Sequence, residues 1–339
     1  MAAEAVAQTS QLFSSLRLAR NVTKTSSGSE VVSYISDLGP DSPILTLIHG
    51  YPQSAYEWRH VVPLLQGKFS LFVPELPGYG TSTPIRDPAS NTKRAVGTAL
   101  LEALADVFQT KTASSPRRII LGGHDRGARI SHRLSVDFSH PHQSSPNLYK
   151  DLNLTILGTI LLDIVPTKEQ WTAFSDPAIS QGYFHWPLLA NADLATEMIS
   201  AFGGANWAKG AHTRISGPNP KSLERIVSQN ALDVYGGLFS ERETIYYSCL
   251  DYAAGAAPEA TEQDEDQKAG RKVGVPLLVM FSKAKLGARI DVEGVWKGWV
   301  AEGVDYEGYG VGDGYGHYLP EEAFEVVAEK VSAFIKKVT

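Results

Sequence analysis

Six short runs of β-branched and aliphatic residues punctuate the chain: Val31 to Ile35, Ile44 to Ile48, Leu71 to Val73, Arg118 to Leu121, Ile156 to Ile164 and Pro276 to Phe281. A strand with one wet face alternates apolar and polar residues, whereas most of these runs are nearly continuous, which is the pattern of strands covered on both faces. Segments of helical length, such as Asn91 to Thr110 and Arg126 to Phe138, separate them. The order predicts an α/β fold: a mostly parallel, doubly wound sheet with helices on both sides. In such sheets chemistry gathers at the carboxyl ends of the strands, where helices begin.

From Pro166 to about Asp266 this rhythm breaks into a stretch of helical composition, rich in Trp, Tyr and Phe, that ends in the polar, acidic run PEATEQDEDQKAGRK. It reads as a helical cap inserted over the strand ends, dividing the chain into core (1–165), cap (166–266) and a second core segment (267–339). The core resumes with VPLLVMF and closes on a helix-like tail, Glu321 to Lys337. No internal repeat is found. Ser139 to Asn153 has turn residues without periodicity and reads as an exposed surface loop.

Composition narrows the function classes. The 339 residues and 43% hydrophobic content suit one large core with an insertion. A net charge of -6 without a basic block argues against nucleic acid as a partner. Cys249 is the single cysteine, so an internal disulfide and a multi-cysteine metal site are excluded. The first twenty residues lack the apolar core of a secretory signal, although their Ser and Arg with few acids have some transit-peptide character; a cytoplasmic location is expected. No apolar stretch approaches the roughly 20 residues needed to span a bilayer. The oligomeric state is not fixed by the sequence, and a homodimer is left open.

After the strand RRIIL comes GGHDRGA, in which Gly123, Asp125 and Gly127 fit the small-x-nucleophile-x-small pattern of a strained turn between strand and helix. The central residue is ordinarily Ser. Here it is Asp125, whose carboxylate is ionised at neutral pH and can attack carbon directly. Taken alone, Asp125 could equally cap the following helix. Two further pieces favour the nucleophile. His317, in GYGHYLPEE before the last helix, stands where a general base is expected, and the order Asp125, second acid, His317 is that of the α/β-hydrolase fold. His49-Gly50-Tyr51-Pro52 follows the strand ILTLI, where the Tyr51 N–H, paired with the Arg126 N–H, would form an oxyanion hole. The orienting acid is read as Asp163, at the end of the apolar strand TILLDI, where a buried carboxylate needs a partner such as a histidine N–H. Its competitor, Asp291, stands in the polar segment GARIDVEG.

These residues resemble a known group. HGYPQSAYEWRHVVP, GYG, GHDRGAR, LDIVPT, YFHW, DYAAGA and GHYLPEE are similar to the fluoroacetate dehalogenase type of haloacid dehalogenase, over about Pro43 to Ile335. Related epoxide hydrolases share HGxP, the GHD turn and the final histidine but usually carry Trp after the nucleophile, where this chain has Arg126. The resemblance implies that Arg126 and Arg129 clamp a substrate carboxylate, and guanidinium forks three residues apart on one helix face suit that task. It also implies that His185, Trp186 and Tyr252 receive the halide. The alternatives are structural ion pairs for the arginines and plain aromatic packing for the other three. Departures include Pro77 before GYG, Asp251-Tyr252-Ala253 in place of DYR, the longer Ser139 to Asn153 segment, and FSKAK in place of LWG after the seventh strand.

The implied activity is hydrolysis of a small 2-haloacid through an ester on Asp125, with no metal or organic cofactor and a small molecule as the substrate. Two alternatives stand beside it: epoxide hydrolysis by the same machinery, with Tyr183, Tyr235, Tyr246 or Tyr247 as ring acids, and a ligand receptor that keeps the hydrolase shell.

Overall fold

The computed structural model describes residues 2–339. Eight strands form one sheet: β1 (Ala19–Lys24), β2 (Glu30–Ser36), β3 (Ile44–Thr46), β4 (Ser70–Pro74), β5 (Arg117–His124), β6 (Leu154–Leu162), β7 (Leu277–Ser282) and β8 (Tyr306–Val311). Their spatial order is β1-β2-β4-β3-β5-β6-β7-β8. The first two joins, β1 with β2 and β2 with β4, are antiparallel, and every later one is parallel. All six apolar runs of the sequence are strands. The two strands that were not anticipated are the sheet's edges. The β1 sequence, ARNVTK, has a single buried residue, and YEGYGV of β8 is half-exposed and interrupted by glycine, so neither shows an apolar signal.

Alternate residues of the central strands supply two cores, one on each face. Ile119, Leu121 and Leu161 join the layer containing Leu100 and Leu104 of the helix Lys93–Val107. Ile120, Ile160 and Leu162 join the layer containing Phe334 and Ile335 of the C-terminal helix Phe324–Val338. Each strand is therefore apolar throughout, as a sheet covered on both sides requires.

Between β6 and β7 the chain forms a series of helices from Thr167–Ala173 to Ala260–Ala269. The acidic run at its end is the helix Ala260–Ala269, anchored by Asp266 to Arg133 at 2.5 Å and by Glu262 to Arg94. The Ser139 to Asn153 segment is about half exposed, with Leu152 buried, and contains one helical turn, Leu148–Asp151, from which the Tyr149 hydroxyl donates to the Leu134 carbonyl at 2.6 Å. The first residues form a helix, Ala2–Ser15, whose Phe13 stacks on Tyr34 of β2 with ring centres 4.3 Å apart. Among the described residues no helix is long and apolar enough to cross a membrane.

Candidate active site

The parallel ladder runs one residue past β5 and β6. Asp125 N–H donates to the Leu162 carbonyl at 3.2 Å and Asp163 N–H to that of Met280 at 2.8 Å, so the two acids sit side by side at the carboxyl edge. Both have left-handed backbones, with φ of 47° at Asp125 and 54° at Asp163, which is uncommon for residues other than glycine. The turn at Asp125 is possible because its flanks are glycines. A Cβ on Gly127 would lie 2.1 Å from the Ile48 carbonyl oxygen, and one on Gly123 would lie 2.4 Å from the Gly127 carbonyl carbon.

Asp125 precedes the helix Arg126–Ser139, yet its carboxylate makes no capping bond. Instead its Oδ1 accepts the Tyr51 N–H at 2.9 Å. The second expected donor, the Arg126 N–H, is in the first turn of the helix and so lacks an intrahelical acceptor. Burial alone would raise the Asp125 pKa, but the positive charges of His317, Arg126, His124 and Arg129 outweigh it and hold the carboxyl well below the usual carboxylate range.

His317 Nδ1 lies 2.7 Å from Asp163 Oδ2, and its Nε2 lies 3.9 Å from Asp125 Oδ2, too far for a direct hydrogen bond. Asp163 Oδ1 also accepts the Ser282 N–H at 2.7 Å, which fixes the acid to the end of β7. The His317 turn is held by Glu322, which accepts the Gly316 N–H at 2.6 Å and the Tyr318 N–H at 2.9 Å. Asp291 is exposed and caps the helix Val292–Lys297 through the Gly294 N–H, so it takes no part in this cluster. Beneath the turn, His124 Nε2 lies 2.9 Å from the His317 carbonyl and its Nδ1 3.3 Å from Glu57. Burial opposes a charge there, but the Glu57 carboxylate pushes the His124 pKa up to about 9.

The two arginines are used differently. Arg126 is fully buried, its Nε bonds the Asp251 carboxylate, and its Nη1 has no partner. Asp251 is shared with Lys93, whose Nζ is 2.5 Å from Asp251 Oδ1 and 3.1 Å from Glu259. Two cations and two carboxylates thus cancel. Arg129 donates only to neutral oxygens, the Val165 carbonyl at 2.8 Å and Thr167 Oγ1 at 3.3 Å, while its Nε has no partner. Burial and the neighbouring Arg126 charge lower its pKa to about 10.

Two narrow adjoining cavities, of about 30 and 20 Å³, meet at Asp125, His185, Ile215 and His317. Arg129, Asp163, Tyr183 and Trp186 line the first; Tyr51 and Tyr252 line the second. Arg126 is in neither wall and stands behind them, 4.0 Å from the Tyr252 ring centre. His185, Trp186 and Tyr252 form an aromatic cluster, with Trp186 and Tyr252 ring centres 5.4 Å apart and perpendicular. Burial pushes the His185 pKa down to about 3, so the ring is neutral, and its Nδ1 has no partner. Of the other tyrosines considered for ring opening, Tyr235 bonds Glu321 at 2.9 Å, and Tyr246 and Tyr247 line a separate surface groove.

Several wall residues escape the sequence reading. Trp207 donates its indole N–H to the Tyr51 hydroxyl at 2.6 Å, and Gln170, Arg214 and Lys285 also line the cavities. Of these only Lys285 carried a signal, in the FSKAK departure. The others are brought in by the packing of the inserted helices.

The sequence profile of the α/β hydrolase fold matches residues 43–144, within an eight-stranded, mostly parallel sheet. The chain has an α/β-hydrolase fold. This α/β-hydrolase-fold chain is similar to a fluoroacetate dehalogenase from Burkholderia sp, with 29% identity over 269 residues, 76% of this chain and 77% of that protein. It is also similar to a soluble epoxide hydrolase from Corynebacterium sp. (strain C12), with 26% identity covering 86% of this chain and 89% of the relative. Among solved structures, a candidate epoxide hydrolase from Pseudomonas aeruginosa superposes with a TM-score of 0.77 at 26% identity, over 94% of this chain and 96% of that one.

Proposed function

We propose that this protein hydrolyses the carbon–halogen bond of a small 2-haloacid through an ester on Asp125. Arg129 carries the reading. A buried guanidinium on the cavity wall, without a carboxylate of its own, suits the carboxylate of a substrate, whereas the charge of Arg126 is already balanced by Asp251. Arg126 contributes its spare Nη1 and its field from behind.

With Oδ1 held by the Tyr51 N–H, Oδ2 is the free oxygen and attacks the carbon bearing the halogen. That bond breaks, and the halide leaves with the electron pair toward the His185, Trp186 and Tyr252 donors. His317, oriented by Asp163, then takes a proton from water, and the resulting hydroxide adds to the ester carbonyl carbon. The oxyanion rests on the Tyr51 and Arg126 N–H groups until the hydroxy acid departs with the proton returned from His317. Asp125 then loses the proton of the added hydroxyl to solvent and regains its carboxylate, one of whose oxygens now comes from water.

A single turnover in oxygen-18 water, with enzyme in excess over chloroacetate, tests this. Unlabelled glycolate and an Asp125 peptide one label heavier are expected. Label in the product at first turnover would eliminate the ester. The walls also hold Tyr183 and Tyr252, which favour epoxide opening as the second reading, so styrene oxide is run in parallel; diol formation without halide release would select it.

A further inference from the structure

Deeply buried cations around this site have carboxylate partners: Arg59 with Glu321, Lys93 with Asp251 and Glu259, Arg126 with Asp251, and Arg133 with Asp137 and Asp266. Arg129 departs from that pattern, and two less buried cations stand on the cavity walls. Lys285 lines the first cavity with Arg129, and Arg214 lines the second. Among the described residues neither has a carboxylate within ion-pair distance.

The backbone at Lys285 is anchored, and the Arg214 side chain lies against an aromatic ring. Ser282 Oγ accepts the Lys285 N–H at 3.1 Å, and the Ser282 N–H is itself bound to Asp163 at 2.7 Å, so the turn carrying Lys285 is fixed to the triad acid. Arg214 ends the helix Gly204–Ile215, with its guanidinium carbon 5.2 Å from the Phe184 ring centre. The walls thus carry two carboxylates, Asp125 and Asp163, against three cations, Arg129, Lys285 and Arg214. Among these five side chains one positive charge is in excess, the complement of a single carboxylate.

We propose that Lys285 and Arg214 are specificity-determining residues that draw a monoanionic acid into the two cavities and favour it over a neutral substrate. This rests on the haloacid reading above. An acid moving toward Asp125 approaches a like charge, and cations at the cavity walls offset that repulsion; low-dielectric walls focus their field, and salt screens it.

The test compares wild type with Lys285→Gln/Arg214→Gln on chloroacetate and its neutral analogue chloroacetamide, from about 20 mM to about 500 mM NaCl, a range over which the Debye length shrinks severalfold. At low salt the variant should lose roughly tenfold in kcat/KM for chloroacetate, through KM, and its salt dependence should flatten. Chloroacetamide turnover should not change, and an unchanged thermal midpoint would show that the fold is intact. A variant with wild-type kcat/KM and salt slope overturns the proposal. Chloroacetate binding by calorimetry needs no turnover. Binding that is lost in the variant, in a wild type that releases no halide, would sustain this inference and remove the haloacid function. Wild type that binds no chloroacetate would overturn the inference itself.

Discussion

Replacing Asp251 with Asn separates the two roles assigned to the arginines. Asp251 is the shared carboxylate of a buried four-charge cluster, accepting from Arg126 Nε and lying 2.5 Å from Lys93 Nζ. Burial would raise its pKa, but Arg126 and Lys93 hold it below the ordinary value, so the amide removes a full negative charge. Only Glu259, 3.1 Å from Lys93, then faces two cations. Breaking a buried pair from one side costs about 3 to 5 kcal/mol. For a chain of this size that is a fall of roughly 4 to 7 °C in thermal midpoint. Adding Lys93→Met restores neutrality, so the double variant should lose less than the two single variants together, with a coupling of at least about 1.5 kcal/mol. Equilibrium urea unfolding of the four proteins measures this directly. Losses that simply add would refute the shared cluster and return Arg126 to the role of an uncommitted substrate clamp.

His317→Ala should retain attack by Asp125 but stall ester hydrolysis, so mass spectrometry after chloroacetate should show a trapped adduct; Asp125→Asn should give none. Arg129→Met should cost about 2 to 4 kcal/mol in kcat/KM for chloroacetate, a loss of roughly thirtyfold to a thousandfold, and near wild-type turnover would rule out its anion role. Gly127→Ala should destabilise markedly, since its Cβ would meet the Ile48 carbonyl at 2.1 Å and no flexible side chain can yield; a melt within about 1 °C of wild type would contradict the packing. Burial lowers the pKa values of His132 and His185 to about 3 and of His212 to about 4, so the unfolded chain takes up these protons first. Stability should therefore fall as pH drops from about 6.5 toward 4, by up to about 1.4 kcal/mol per pH unit for each histidine, and a flat urea midpoint over that range would count against neutral burial.

The sheet interior was readable because strands buried on both faces leave continuous apolar runs. The turn at Asp125 was readable because close packing between Gly123, Gly127 and Ile48 demands glycine. Edge strands β1 and β8 were not readable, since exposure removes the apolar signal. The ion pair between Arg126 and Asp251 was equally hidden. Both residues lie in motifs that drew attention, GHDRGAR and DYAAGA, but their pairing joins the helix after β5 to an inserted helix more than a hundred positions later. Trp207 over Tyr51 is hidden for the same reason: helical composition states that a face exists, not which loop it will cover.

The sheet order has a consequence for synthesis. Tyr51, Asp125 and Asp163 emerge from the ribosome early, but the strand to which Asp163 pairs its backbone, β7, follows the whole helical insertion, and His317 comes later still. Domains fold as units while the chain grows, and contacts between distant residues form slowly. Because Asp163 is fixed by the end of β7 and the second face of the sheet is covered by the C-terminal helix, the cluster of Asp125, Asp163 and His317 can close only after the last fifth of the chain has been made.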